Sequence, residues 1–394
     1  MPHVGVRKKR NFMKNVYYIG YYSGEKCQNR RKCSENAAAT VKMNFIIDSL
    51  KTLGYHVHLI SISLGSEAGI YRAEHITIDE LEDHYYVPYF SIKLKNKNCF
   101  GGQTAWLFLK MYALFHFKRT DIVITYHSLM YHRFWVRLHK IIGFRWVPQV
   151  EEIYCLSRKD YQNEKYLKRE EKMFLSGDGF LFVNDIMAQK YANGRLFAVS
   201  YGNYNVYAEK DTFIGEKIGI VYTGIINHDR GVFKLIDAMQ YLPSNYELHI
   251  LGFGSDENMK IMKEHIANAN KMEERVFFEG VRTGKAYTEF LLKYQIGVSL
   301  MDTSEDVAEN AFPSKIMAYL GHSLFVVSSK CSSIVNSQVA DSIYFCDDSA
   351  EDIAKTICEI PVHMKNNSAN KLKELKALFL KNLQIVLENG RIGD

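Results

Sequence analysis

Short apolar, β-branched runs alternate with stretches of helical periodicity along the first half of the chain. Each apolar run suits one buried strand, and each periodic stretch carries the apolar stripe of an amphipathic helix. The pattern predicts strands over 16–21, 55–62, 121–126, 146–151 and 179–183, with helices over 34–53, 105–117, 130–142 and 164–175. Such alternation is typical of a parallel sheet with helices on both faces.

The same pattern starts again after a stretch without clear periodicity at residues 205–216. It predicts strands over 218–222, 247–251, 276–279, 296–300, 324–328 and 342–345, helices over 231–239, 256–269, 286–293 and 313–320, and a last helix over 368–389. The second half therefore predicts a sheet of its own.

We therefore predict an α/β protein with two tandem doubly wound, Rossmann-like domains. The N-terminal domain covers residues 1–208, the C-terminal domain covers residues 209–365, and a C-terminal helix covers residues 366–394. Parallel sheets of this kind bind ligands at the carboxyl ends of their strands. Two such sheets facing each other would form a cleft, which is where enzyme sites usually lie.

The composition is that of a globular protein, but the charge is unevenly distributed. Of 394 residues, 47% are hydrophobic and 24% are charged, which excludes a disordered or low-complexity chain. Residues 1–208 contain 30 Lys and Arg against 18 Asp and Glu, a balance of +12, whereas the remainder has a balance of −6. The basic half predicts an anionic surface or ligand, and the acidic half argues against nucleic acid as a partner.

The sequence predicts a cytoplasmic location. No apolar run approaches the roughly 18 residues that span a bilayer, and no apolar stretch of a signal peptide follows the charged start. Seven cysteines without a CxxC pair indicate reduced thiols rather than a disulfide framework or a zinc site.

The segment VYTGIINHDRGVFKLIDA, residues 221–238, joins a predicted strand to a predicted helix. The strand ends at Gly224, and Arg230 with Gly231 opens the helix. A helix N-terminus offers free amides and a partial positive charge, and an arginine adds donors that suit phosphate. The alternative is a plain helix start with an exposed arginine.

The segment LGFGSDE, residues 251–257, places Gly252 and Gly254 directly after a strand. These glycines match the start of a dinucleotide-binding fingerprint, but the third glycine is missing. Asp256 and Glu257 would also repel a pyrophosphate. The segment therefore favours a tight turn over a nicotinamide-dinucleotide site.

The segment EDVAENAFPSKIMAYLGHSLFVVSS, residues 305–329, leads through an acidic loop into a helix that starts near Pro313. Ser314 and Lys315 place amides, a hydroxyl and an ammonium at the positive end of the helix dipole. This arrangement predicts a cradle for a diphosphate. The alternative is a plain helix start with a surface lysine.

Taken in order, these motifs resemble the nucleotide-sugar-binding half of GT-B glycosyltransferases of the family 4 type. FEGVR at residues 278–282 fits the same order, and the first half is similar through NVYYIGYY, SENAAATVKM and VPQVEEIYC. The resemblance covers nearly the whole chain. It implies the GT-B fold and a retaining transfer of a sugar from a nucleoside-diphosphate sugar to a glycan or lipid-linked saccharide, in surface-polysaccharide synthesis.

The resemblance also implies which residues bind the donor. The set is Gly224, Arg230, Gly252, Gly254, Val281, Arg282, Glu309, Pro313, Ser314 and Lys315. Within it, Arg230 and Lys315 would contact the diphosphate, and the turn at Val281 and Arg282 would hold the base.

Two places in the first half match the family as well. His127, in TYHS at a strand end, would be the catalytic residue close to the donor sugar, unless the backbone simply satisfies it there. Glu151 and Glu152 match an acidic strand end on the acceptor side. Neither a DxD-type pair nor a His/Cys cluster appears in the sequence, so the resemblance implies no metal and no cofactor beyond the nucleotide-sugar donor.

Three positions depart from the family pattern. Ala318 stands where a glutamate holds the ribose hydroxyls, and Ile225 replaces an arginine. Asn310 stands where a Glu-x7-Glu motif begins, although Glu309 is adjacent. Two alternatives therefore stay open: a non-catalytic homologue that acts as an accessory or chaperone partner, and a GT-B sugar-nucleotide epimerase.

Residues 130–146, MYHRFWVRLHKIIGFRW, interleave basic and aromatic side chains. Together with the basic first half, they favour peripheral contact with anionic lipid at the inner face of the cell membrane. The alternative is an amphipathic helix packed on the sheet with a solvated face.

Overall fold

The computed structural model describes residues 14–24, 31–33, 37–94, 97–126, 132–157, 163–210, 212–301, 303 and 309–389. Its strands are β1 (Asn15–Gly20), β2 (His56–Ser61), β3 (Gly69–Tyr71), β4 (Glu74–Asp79), β5 (Glu82–Tyr86), β6 (Tyr89–Leu94), β7 (Lys97–Cys99), β8 (Ile122–Tyr126), β9 (Arg145–Val150), β10 (Gly179–Phe182), β11 (Leu196–Val199), β12 (Ile218–Ile225), β13 (Tyr246–Phe253), β14 (Val276–Phe278), β15 (Ile296–Ser299), β16 (Phe325–Ser329) and β17 (Ile343–Cys346). Its helices are α1 (Ala37–Thr52), α2 (Gly101–His116), α3 (His132–Ile142), α4 (Tyr154–Ser157), α5 (Glu164–Phe174), α6 (Asp185–Tyr191), α7 (Val232–Ala238), α8 (Asp256–Ala269), α9 (Gly284–Leu291), α10 (Ser314–Gly321), α11 (Ser332–Val335), α12 (Ala350–Cys358) and α13 (Ser368–Glu388).

The first sheet has eight strands in the order β11-β10-β9-β8-β1-β2-β5-β4. Its central strand β1 pairs in parallel with β2 and β8, and the edge strand β4 runs antiparallel to its neighbour β5. Val16, Tyr18 and Leu59 on the central strands have no exposed surface. The central strands are apolar runs because both faces of a parallel sheet are covered.

The second sheet has six strands in the order β14-β13-β12-β15-β16-β17, and all of its strands are parallel. Ile220, Tyr222, Leu248 and Ile250 on β12 and β13 are fully buried in its core. The strand order reverses between β12 and β15, and ligands of such sheets bind at the carboxyl ends of the strands beside this reversal.

The predicted alternation of strands and helices and the predicted fold class of two doubly wound parallel sheets are confirmed. The sequence did not predict the strands of residues 69–99, where β3, β6 and β7 form a separate antiparallel sheet. It also missed α4, α6, β11, α11 and α12. Strands β3 and β7 have three residues each, too few to leave a periodic signal.

The chain divides into two compact units. The first comprises Met1–Tyr126 and Arg133–Pro148, and the second comprises His127–His132 and Gln149–Asp394. The domain boundary predicted at residues 208/209 separates the two sheets and stays a prediction.

The C-terminal helix α13 packs on β10 and β11 within the second unit. A Cβ atom on Gly179 of β10 would lie 2.9 Å from Cγ1 of Val386, so the glycine lets the helix approach the strand closely. Phe379 of α13 packs against Tyr204 with their ring centroids 6.1 Å apart.

Candidate functional site

Three glycines line up at the carboxyl ends of β12, β13 and β14. Gly224 and Gly252 are register partners, and the amide of Gly252 donates to the carbonyl of Gly280 over 2.8 Å. A Cβ on Gly252 would come within 1.9 Å of the Gly224 carbonyl oxygen, and one on Gly254 within 2.5 Å of the Ile226 carbonyl oxygen. Gly252 and Gly254 therefore allow close packing of the backbone, as the tight-turn interpretation requires.

Lys315 lies in the first turn of α10, and its side chain turns back towards β12. The ammonium lies 4.1 Å from the centroid of the Tyr222 ring, and a Cβ on Gly224 would lie 3.3 Å from Nζ. Nζ is buried and donates no hydrogen bond to any described residue. Burial, and after it the charge of Arg230, lowers the pKa of Lys315 to about 7. The surface-lysine alternative is therefore wrong.

Arg230 lies close to Lys315 but outside the helix that it was predicted to open. It ends a 3-10 turn, His228–Arg230, and α7 begins at Val232 because Gly231 turns the chain with a φ of 63°. Within the described parts of the chain, no carboxylate forms an ion pair with Arg230 or Lys315. Two positive charges without a counter-ion at a strand end favour the binding of an anion.

The turn after β14 exposes Val281 and fixes Arg282. Val281 is 60% exposed, and the preceding Gly280 has a φ of 73°. Nη2 of Arg282 donates to Oε2 of Glu279 over 2.9 Å, and the guanidinium lies 4.4 Å from the centroid of the Phe290 ring. Arg282 is therefore held at the surface by partners near it in the chain, and its role towards a base stays a prediction.

Exposed apolar side chains surround the same strand ends. Ile225 and Phe253 are the last register pair of β12 and β13, and Phe278 ends β14. They are 47%, 61% and 38% exposed. Together with Val281 they form what we call the apolar rim. The apolar rim lies at the strand ends near Arg230 and Lys315. Apolar side chains close to two cations suit a ligand that joins a planar ring to an anionic group.

The remaining donor-site candidates lie at or before the start of α10. Oε2 of Glu309 is 3.4 Å from Nζ of Lys190, and the Glu309 carbonyl accepts a hydrogen bond from Nδ2 of Asn184 over 3.0 Å. Pro313 precedes the helix with an extended backbone, and Ser314 is exposed at its first position. The donor-binding roles of these residues stay predictions.

The structure describes only some of the candidate site residues from the first half of the chain. His127 lies outside the described residues. Glu151 and Glu152 follow β9 directly and are half-buried, and Oε1 of Glu151 accepts a hydrogen bond from Nε2 of Gln149 over 2.6 Å. Their acceptor-side role and the catalytic role of His127 stay predictions.

A buried polar network beside Lys315 was not predicted from the sequence. Tyr222 donates from its hydroxyl to the Ile225 carbonyl over 2.8 Å, and the Tyr319 hydroxyl accepts from the Thr223 amide over 2.9 Å. Burial raises the pKa of both tyrosines, so both hydroxyls stay neutral. Tyr222 can be read from the motif VYTG, but no neighbouring residue in the sequence indicates that Lys315 would pack on its ring.

Residues 130–146 form α3 and the start of β9 where they are described. Arg133, Arg137 and Lys140 are exposed, whereas Trp135 and Trp146 are buried. The cations therefore lie on the solvated face of an amphipathic helix, and the tryptophans do not face lipid. Among the described residues, no helix is both long and apolar enough to cross a bilayer.

No protein-family model matches the sequence, and no curated protein matches it in sequence. Solved structures are similar to it in fold. A UDP-forming α,α-trehalose-phosphate synthase from Burkholderia xenovorans has a TM-score of 0.64 at 9% identity, covering 96% of this chain and 99% of its own. Anabaena Alr3699/HepE, solved with UDP, has a TM-score of 0.60 at 13% identity, covering 95% and 97%. The pneumococcal O-GlcNAc transferase GtfA, solved with UDP and GlcNAc, has a TM-score of 0.60 at 12% identity, covering 96% and 100%. The similarity confirms the GT-B fold that the sequence predicts.

Proposed function

We propose that the protein is a glycosyltransferase that moves a sugar from a nucleoside-diphosphate sugar to a glycan or lipid-linked saccharide, by a retaining reaction of the family 4 type in surface-polysaccharide synthesis. The observation that carries the proposal is the buried, unpaired ammonium of Lys315 beside Arg230. A buried charge is unfavourable unless it is paired, and a diphosphate would pair both cations.

Donor binding would change the charge state of Lys315. In the free protein its pKa of about 7 leaves the lysine only partly protonated at neutral pH. A phosphate beside the ammonium raises this pKa, so the bound donor holds the lysine in its charged form. Arg230 and Lys315 then stabilise the negative charge that develops on the leaving diphosphate as the glycosidic bond breaks. The leaving phosphate would guide the incoming acceptor hydroxyl.

Uridine is the base that we propose. The apolar rim offers exposed side chains on which a planar base can pack. Two of the similar structures contain UDP and the third belongs to a UDP-forming enzyme, which supports the same choice.

Calorimetry with UDP and GDP tests the phosphate site. We expect Lys315→Met to weaken UDP binding by roughly tenfold or more, the effect of losing one charge-assisted contact. Lys285→Met is the matched control. The side chain of Lys285 is 89% exposed on α9 in the same unit, so this variant should bind UDP as tightly as wild type. Equal affinities of wild type and Lys315→Met would contradict the proposal.

Mass spectrometry of incubated nucleotide sugars separates the proposed transferase from the two alternatives. Free sugar with UDP supports a transferase, and an isomeric nucleotide sugar supports an epimerase. Binding of UDP without any turnover supports an accessory homologue, the alternative that Ala318 at the position of the family glutamate favours.

We further propose that the protein contacts an anionic membrane at its cytoplasmic face through α2 and α3. Exposed apolar residues form a stripe along one face of α2, namely Leu107, Phe108, Met111, Leu114 and Phe115. Trp106 of α2 packs against Phe134 of α3 with ring centroids 5.0 Å apart, so the helix that bears the stripe packs against the helix that carries the exposed cations. An apolar stripe beside basic residues is typical of helices that lie in a membrane interface.

A further inference from the structure

Three histidines from two strands of the first unit converge on one carboxylate. His56 and His58 of β2 project from the same face because they are two residues apart, and Asp83 of β5 is the register partner of His58. His56 Nε2 lies 3.0 Å and His58 Nδ1 lies 2.7 Å from the same oxygen, Oδ2 of Asp83. Nε2 of His75, on β4, lies 3.1 Å from the other oxygen, Oδ1.

Aromatic stacking holds the two imidazoles of β2 in this orientation. The His56 and His58 rings stack with centroids 4.4 Å apart, and the Tyr17 ring stacks on His58 at 4.9 Å. The side chains of His56 and His58 are 25% and 21% exposed, and that of Asp83 is 12% exposed. The cluster is therefore ordered and still accessible to an ion from solvent.

We propose that His56, His58 and Asp83 bind a divalent first-row transition metal ion of the Zn²⁺ class. One possible ligand atom from each of these side chains lies within 4.8 Å of the other two. Imidazole nitrogen and carboxylate oxygen bind Zn²⁺ at about 2.0–2.1 Å, which places the ligand atoms of a tetrahedral ion about 3.4 Å apart. The His56 nitrogen, at 3.0 Å, therefore needs to withdraw from Asp83 Oδ2 by about 0.4 Å, and the His58 nitrogen, at 2.7 Å, by about 0.7 Å.

His75 acts on the metal through Asp83. Its hydrogen bond to Oδ1 leaves Oδ2 for the ion, and outer partners of this kind orient a metal-bound carboxylate. Three protein ligands leave the fourth position to water. A bound ion would join β2 to β5 and, through His75, to the edge strand β4. This inference does not depend on the proposed glycosyltransferase activity.

Only part of this cluster could be recognised from the sequence. His-Val-His lies in a predicted strand, where residues two apart share a face, but Asp83 and His75 lie in a stretch for which no strand was predicted. The cluster exists only because β5 pairs in parallel with β2 and β4 adds to β5. The expectation that no His/Cys cluster occurs was therefore wrong for side chains that converge across strands.

Metal titration of the full chain, freed of any histidine tag, tests the proposal. We expect one Co²⁺ per chain to give the intense visible absorption of a tetrahedral site, and Zn²⁺ to displace it. His58→Asn and His56→Gln should each weaken Zn²⁺ binding by roughly tenfold or more. Zn²⁺ should raise the melting temperature of wild type, and should do so much less for either variant.

His265→Asn is the matched control for these variants. Nδ1 of His265 lies 2.7 Å from Oδ1 of Asp237, and no second imidazole among the described residues pairs with this carboxylate. The loss of His265 should therefore leave metal binding unchanged. If His58→Asn does not fold, the more exposed His56→Gln decides. Absence of the Co²⁺ band in wild type, or unchanged Zn²⁺ affinity in the folded variants, would overturn the proposal and leave a hydrogen-bond network around Asp83.

Discussion

Replacing Lys315 with methionine is expected to stabilise the free protein while it weakens the binding of UDP. Methionine keeps an unbranched stem that can pack on the Tyr222 ring, but it removes the buried charge. A residue that only supported the fold would change stability in the opposite direction. The two measurements together therefore separate a binding role from a structural one.

The size of the stability effect follows from the burial of the ammonium. Burial, followed by the charge of Arg230, lowers the pKa of Lys315 from 10.5 to about 7. A shift of about 3.5 pKa units corresponds to about 5 kcal/mol against folding with the lysine charged.

The pH dependence of this effect has a defined sign. The folded state has the lower pKa, so between about 7 and 10.5 the unfolded chain binds more protons than the folded chain. The contribution of Lys315 to the stability of wild type therefore becomes less unfavourable as the pH rises across this window. The advantage of Lys315→Met is full below pH 7 and disappears as the pH approaches 10.5.

Melting temperatures of wild type, Lys315→Met and the control Lys285→Met, measured from about pH 6 to pH 10 with and without UDP, check this reasoning. Without UDP, Lys315→Met should melt several degrees above wild type at the acid end, and the curves should converge at the alkaline end. UDP should raise the melting temperature of wild type more than that of the variant. A variant that melts below wild type at every pH would refute the inferred penalty.

Three further predictions concern the strand end, the metal requirement and the membrane. Gly224→Ala should weaken UDP binding, because its Cβ would lie 3.3 Å from the buried Nζ of Lys315. Gly54→Ala, which also has a positive φ (82° against 139° for Gly224) but nothing within 4 Å of its Cβ, should lose stability only; calorimetry and urea unfolding compare the two variants. Turnover should survive excess EDTA, because protein cations hold the diphosphate, and loss of activity restored by Mg²⁺ would contradict this. Phe115→Ser should reduce co-sedimentation with anionic vesicles at low salt. Met272→Ser, at a residue that is 98% exposed in the other unit, should not reduce it. If vesicle binding by wild type does not depend on salt, the proposed electrostatic contribution to membrane binding is wrong.

The order of the elements was predictable because most of the buried parallel strands are rich in apolar residues. Ile218–Ile225 is a nearly continuous apolar run, and Tyr246–Phe253 is apolar at its buried positions. Strand β4, Glu74–Asp79, was not predictable, because it lies at a sheet edge with most of its residues exposed. Its position comes from pairing with β5, which is not encoded in its own apolar pattern.

The residue types of the candidate site were predictable from the sequence, but the burial of these residues was not. Pro313, Ser314 and Lys315 are the residue types that a phosphate-binding helix start uses, and their spacing is local. The burial of Lys315 depends on the Tyr222 ring, which a distant strand supplies. Periodicity identifies elements and not the register between them, so the altered pKa of the lysine could come only from the structure.

A buried ammonium without a partner is difficult to explain as a device for folding. The Tyr222 ring offsets only part of the desolvation of Lys315, and an apolar side chain of similar length would fill the space without that penalty. An anion between Lys315 and Arg230 reverses this balance, because it pairs both charges where the surroundings screen them poorly. The buried ammonium of Lys315, which opposes folding, therefore favours the binding of a diphosphate. That is why a Lys315→Met protein should be more stable than wild type and bind UDP less tightly.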